Sequence, residues 1–132
     1  MNVINMKKMI CTFLATVADR VYDNWVRPGT KYPYVTYTLS SSARDENMVM
    51  ERFMLDVDIW DNDPLDTTTL ETLTGTIDGN GSITSASGLH RKHYYVSGTL
   101  AADSYREARM DIPDEDTNIR HRRLRYEILT YL

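Results

Sequence analysis

Between Met50 and Trp60 the chain alternates without a break. Phe53, Leu55, Val57 and Ile59 take one parity; Arg52, Met54, Asp56 and Asp58 take the other. A strand points successive side chains to opposite faces. This segment therefore buries one face and turns the other to water or to a partner. A half-buried sheet must lie at the centre of the fold. The 132-residue length allows one domain, residues 1–132, with one real core. Apolar residues at 42% and charged residues at 26% exclude wholesale disorder.

The remaining elements are arranged around that strand. Met6, Ile10, Phe13 or Leu14, Val17 and Val21 recur at three and four, the stripe of an amphipathic helix over residues 4–22. The same region is too short and too interrupted, by Cys11 and Thr12, for a signal peptide. Pro28-Gly29 is turn chemistry, and Tyr34 to Ser40 reads as a strand with Val35, Tyr37 and Leu39 on one face. Ser40 to Asn47 is polar and aperiodic, so it reads as a loop. Asp63 as N-cap and Pro64 at the first helical position open a helix with Leu70, Leu73 and Ile77 inward, which Gly79-Asn80-Gly81 ends. Ser82 to Gly88 is a small-residue loop. His90 to Leu100 reads as a third strand, with Tyr94, Val96 and Leu100 on one face. Residues 101–118 are ambiguous: Asp103 to Met110 reads either as a short helix or as extended chain, and Pro113-Asp114-Glu115-Asp116 as an acidic turn. The last strand, Ile119 to Leu132, sets Leu124, Tyr126, Ile128 and Leu132 against Arg123, Arg125 and Glu127. The order α-β-β-α-β-β predicts an α+β fold. Its sheet is four-stranded and mainly antiparallel, with two helices packed on one face.

Chemistry is sparse. The net charge of −4 argues against gripping nucleic acid with the whole surface. No apolar run approaches the roughly 20 residues of a membrane span. One cysteine, Cys11, excludes an internal disulfide and reads as a small buried hydrophobe in a reducing cytoplasm. His90 and His93 point to opposite faces of a strand, and His121 lies among arginines; all three read as ordinary surface or turn histidines. Asp56, Asp58 and Glu51 are the residues a small metal-dependent nuclease would use. Such chemistry needs acids converging from different elements, however, and a strand with a wet acidic side is the plainer account. No catalytic, metal or cofactor motif is expected. The cluster Arg120, Arg122, Arg123 and Arg125 is the sharpest local feature. It admits three readings: contact with a partner, contact with phosphates, or a wet strand face paired to Asp56, Asp58 or Glu51.

Val21-Tyr22, then Tyr32-Pro33-Tyr34-Val35-Thr36-Tyr37, then Leu55-Asp56-Val57-Asp58-Ile59-Trp60-Asp61 with a helix directly after it, and finally the segment His121 to Ile128, form an ordered series. The series resembles the tail-completion proteins of long-tailed bacteriophages, also called tail terminators or tail-to-head joining proteins. The resemblance implies a small α+β protomer without catalytic residues, working in the virion tail after assembly in the host cytoplasm. It implies a homo-oligomer, a hexameric ring that caps the tail tube, stops its polymerisation and offers a surface to the head-tail connector protein. DNA would pass through the ring without specific binding. A head-completion or neck adaptor is the neighbouring reading. On the uncovered sheet face Trp60, Tyr95, Arg123 and Arg125 are the expected interface residues, since aromatics and arginine are enriched in such contacts.

Overall fold

The computed structural model of the protein describes residues 3–44, 50–82, 85–98 and 100–131. Its elements are α1 (Val3–Val17), β1 (Val21–Asp23), β2 (Tyr34–Arg44), β3 (Met50–Asp61), α2 (Thr68–Asp78), β4 (His93–Val96), β5 (Leu100–Ile112) and β6 (Arg120–Tyr131). The strands form one sheet in the order β1-β2-β3-β6-β5-β4, curled into a half-barrel. β1 runs parallel to β2, and every other pair is antiparallel. The fold class is α+β with two helices, but the sheet has six strands and not four.

Both extra strands come from segments whose pattern is ambiguous. The helical stripe predicted over 4–22 stops at Val17. Val21 and Tyr22, β-branched and aromatic, leave the helix to pair with Val35 and Thr36. The segment expected to be one strand from His90 to Leu100 is divided by a turn at Ser97-Gly98, with Gly98 at φ 69°. From Leu100 the chain is extended through Ile112, so the helical option for Asp103 to Met110 does not hold. β5 is long because Ala102 and Ser104 tuck beneath β4 and its preceding turn, while its charged residues find partners on α2 and β6.

Two smaller expectations also shift. β2 continues to Arg44, so residues 40–44 of the predicted loop belong to a strand; residues 45–47 of it, and Leu132, lie outside the described residues. Asp63 does not cap α2. Its Oδ1 accepts the amides of Leu65 and Asp66, and Asp66 Oδ1 accepts the Thr68 amide and hydroxyl. These two successive side-chain turns delay the helix to Thr68. Gly79 ends it at φ 79°, as expected.

The core lies between the helices and one face of the sheet. Met6, Ile10 and Leu14 of α1 and Leu70 and Ile77 of α2 meet Val35, Leu55, Val57, Ile59, Leu124, Tyr126 and Ile128. Cys11 is only partly buried and packs at the edge of this cluster. No described helix is long and apolar enough to cross a membrane.

Candidate interface on the uncovered sheet face

The parity that buries Leu55, Val57 and Ile59 sends Asp56, Asp58 and Trp60 to the opposite face. Register then decides what they meet: Asp56 stands opposite Arg125, Asp58 opposite Arg123 and Trp60 opposite His121. The two acid–arginine pairs are bidentate. Arg125 Nε and Nη2 donate to Asp56 at 2.8 and 3.3 Å; Arg123 Nε and Nη2 donate to Asp58 at 2.9 and 3.5 Å. Of the three readings of the arginine cluster, the paired strand face describes Arg123 and Arg125. Each guanidinium already carries its own carboxylate, so this face offers little uncompensated charge to a phosphate.

Asp58 is the most constrained member. It is 6% exposed, and its Oδ1 also lies 2.6 Å from His121 Nε2. Burial pushes its carboxyl up, but the bonds from His121 and Arg123 outweigh that and hold it below the usual carboxylate range. The Asp56 bond likewise raises the Arg125 guanidinium above its ordinary value. His121 is therefore no ordinary surface histidine: it is buried, and its ring stacks on Trp60 with centroids 3.6 Å apart. Trp60 lies 6.0 Å from Tyr34, which stands 6.3 Å from Tyr22 and 5.1 Å from Tyr32. A row of rings thus crosses β1, β2, β3 and β6. Burial, with Tyr32 alongside, pushes the Tyr34 phenol up to about 12. The Trp60 indole N–H is buried and finds no acceptor among the described residues.

The structure brings Trp60, Arg123 and Arg125 together but leaves Tyr95 apart. Tyr95 is on the uncovered face and 62% exposed, on edge strand β4. It is level with Ala101, Tyr131 and Met50, at the end of the sheet away from Trp60, where its ring faces His93. Glu51 also parts from Asp56 and Asp58. It shares the parity of Phe53 and so projects to the other face, and the nuclease trio does not converge. Among the described residues no group of three or more His, Cys, Asp or Glu is placed to hold a metal ion.

Arg122 points the other way, into a second charged cluster under α2. It is 5% exposed and bonds Asp111 at 2.7 Å, Glu71 at 2.8 Å and the Thr74 hydroxyl at 3.2 Å. Arg109 adds a second bond to Glu71. Burial opposes the Arg122 charge, but the acids outweigh it and raise its pKa, while Arg122 holds Asp111 below its ordinary value. This cluster locks α2 to β5 and β6. Asp111 stands opposite Arg122 across the β5–β6 pair, whereas Glu71, far along the chain, meets it only through the packing of α2 on the sheet.

No protein-family model and no curated protein matches the chain. Among solved structures, a chain from one titled "Virion of native gene transfer agent (GTA) particle" superposes with a TM-score of 0.60 at 14% identity. The match covers 99% of this chain and 87% of that one. At that identity the likeness is one of fold.

Proposed function

We propose that the protein is a structural component of a phage-like virion, acting as a tail terminator. In this role it forms a ring, hexameric by the family resemblance, that caps the tail tube, halts its growth and presents a surface to the head-tail connector protein. The observation that carries the reading is the fold likeness to a chain of a gene transfer agent virion, which runs over almost the whole length of both chains. The ordered motifs from Val21-Tyr22 to Ile128 support the same reading independently. The uncovered face is preformed and charge-paired, suited to packing against protein rather than to turning over a substrate. An acidic protein, at −4 overall, also suits a channel that DNA crosses without sticking.

The second reading is a neck or head-completion adaptor from the same kind of virion, and only the partner separates the two. The test is a pull-down with tail tube protein set against portal or connector protein, combined with electron microscopy of the purified protein. Retention by the tube protein and six-fold rings support the terminator. Retention by the connector protein alone would reassign the chain to the neck, and a strictly monomeric protein that leaves tube length unchanged would remove the terminator reading.

A further inference from the structure

Two strands of the sheet are flanked on both sides over only part of their length. β1 covers β2 only from Val35 to Tyr37. Among the described residues, the stretch 39–44 has β3 on one side and no strand on the other. At the opposite edge β4 covers β5 only from Leu100 to Asp103. The preceding turn adds bonds between Arg91, Lys92 and Ser104, and the Arg106 amide donates to the His90 ring. From Glu107 to Ile112 β5 is flanked only by β6 among the described residues. The two open half-edges lie at opposite sides and opposite ends of one sheet.

Their directions match. β2, β3, β6 and β5 alternate in direction, so a second copy set beside the first brings its β2 antiparallel to this β5. Side-chain parity then selects the register. Ser40 and Met110 both belong to the uncovered face, so setting them opposite keeps like faces together, whereas a one-residue slip would oppose covered and uncovered faces.

At the near end Thr38 comes opposite Ile112. Thr38 Oγ1 is bonded to Asn24 Oδ1, and the Asn24 amide donates to the Tyr37 carbonyl. Asn24 has φ 67°, a conformation asparagine tolerates, and it holds the next residue, Trp25, out from the sheet at 81% exposure. Where β5 ends, a cavity of about 290 Å³ opens between Leu70, Ile112, Pro113, Ile119 and Arg120. Thr67, Asp111, His121 and Arg122 complete its walls, which are part apolar and part charged, and Arg120, which also donates to the Pro64 carbonyl, supplies a cation of the kind that stacks on an indole.

We infer that copies of this protein join head to tail by strand addition, β2 of one copy extending β5 of the next, with Trp25 of the first seated in the 290 Å³ cavity of the second. The inference deepens the ring reading and rests on it. Within one chain Leu39 is level with Arg106, through Leu55 and Tyr126, whereas in the joint it meets Asp111. Allowing for the bulge near Glu107, each copy steps along the strands by about four residues, roughly 14 Å, for every four strands, roughly 19 Å across. A closed ring then requires strands inclined by roughly 35°, within the range that closes β-barrels. Such heterologous contacts close when the rotation completes a turn.

The test is a Ser40→Cys/Met110→Cys variant, oxidised at assembly-like concentration and run without reductant. A ladder of covalent multimers is expected, because within one chain β3 and β6 separate the two positions. A Ser41→Cys/Met110→Cys variant, which pairs opposite faces, is expected to stay unlinked; both variants also carry Cys11→Ser, so that no link runs through the native thiol. Trp25→Ala is expected to weaken self-association at least roughly tenfold in sedimentation while leaving thermal melting unchanged, as the ring is exposed in the single chain. Rings from the unaltered protein, with no ladder in the Ser40/Met110 variant and no effect of Trp25→Ala, would overturn the joint and leave the ring standing. A ladder in both cysteine variants would overturn the register, and a chain that never associates would overturn joint and ring together.

Discussion

Asp58 shows how one side chain links fold and surface. It is buried, yet its charge is kept by two donors, His121 and Arg123. Removing that charge strands both donors and should cost about 3 kcal/mol, so Asp58→Asn is expected to lower the melting temperature clearly. The pH dependence comes from the direction of its shift. The folded carboxyl lies below its ordinary value of 3.8, so its contribution is complete above that value. It is lost as pH falls through the lower, folded value. Acid titration of stability should therefore steepen below about pH 3.8 and flatten in Asp58→Asn. Arg125 invites a different test. Reversing Arg123 and Arg125 to Glu would set four acids on neighbouring strands and weaken the fold itself, so that change cannot isolate an interface. Arg125→Asp alone should destabilise, and adding Asp56→Arg should restore most of the loss, which a denaturation cycle would read. Alternation makes the separation of Arg123 and Arg125 from Arg120 and Arg122 legible in the sequence. The burial of His121 is not legible, because it depends on the register that sets His121 beside Trp60 and Asp58.

Strands with clean alternation declare themselves, and mixed ones do not. β3 and β6 are readable because their apolar parity is unbroken, and Leu55→Ala should cost about 2–5 kcal/mol at that fully buried site in a thermal or urea melt. β5 carries almost no apolar signal: Ala102 and Ser104 are small, and Arg106, Arg109 and Asp111 are held by ion pairs to distant residues or to β6. β1 is three residues long and continues the helical stripe of α1, so periodicity alone assigns it to the wrong element. Around the loop after α2 the constraint is steric. A Cβ on Gly88 would fall 2.5 Å from the backbone of Asp78, while Leu89 N–H donates to Ile77 O in the same crossing. Gly88→Ala should therefore destabilise by about 1–3 kcal/mol, with a lower melting temperature and no change in the far ends of the sheet.

At the level of the whole molecule, a sheet covered by helices on one face is left with a paired, aromatic-crossed surface on the other. Among the described residues it also has two open half-edges, the ones on which the proposed joint between copies rests. The architecture of helices on one face is legible in the sequence. The six-strand order is not, since it rests on the two short edge strands. Tyr95 illustrates the limit: its parity is readable, but its place three strands and most of a strand length from Trp60 comes only from the topology. The proposed role requires the chain to be a repeating part rather than a solitary one. Light scattering of the purified protein across a concentration series, with and without tail tube protein, measures this directly. A mass near six protomers, reached alone or on adding the tube protein, is the predicted result; a mass of one protomer under every condition would contradict it.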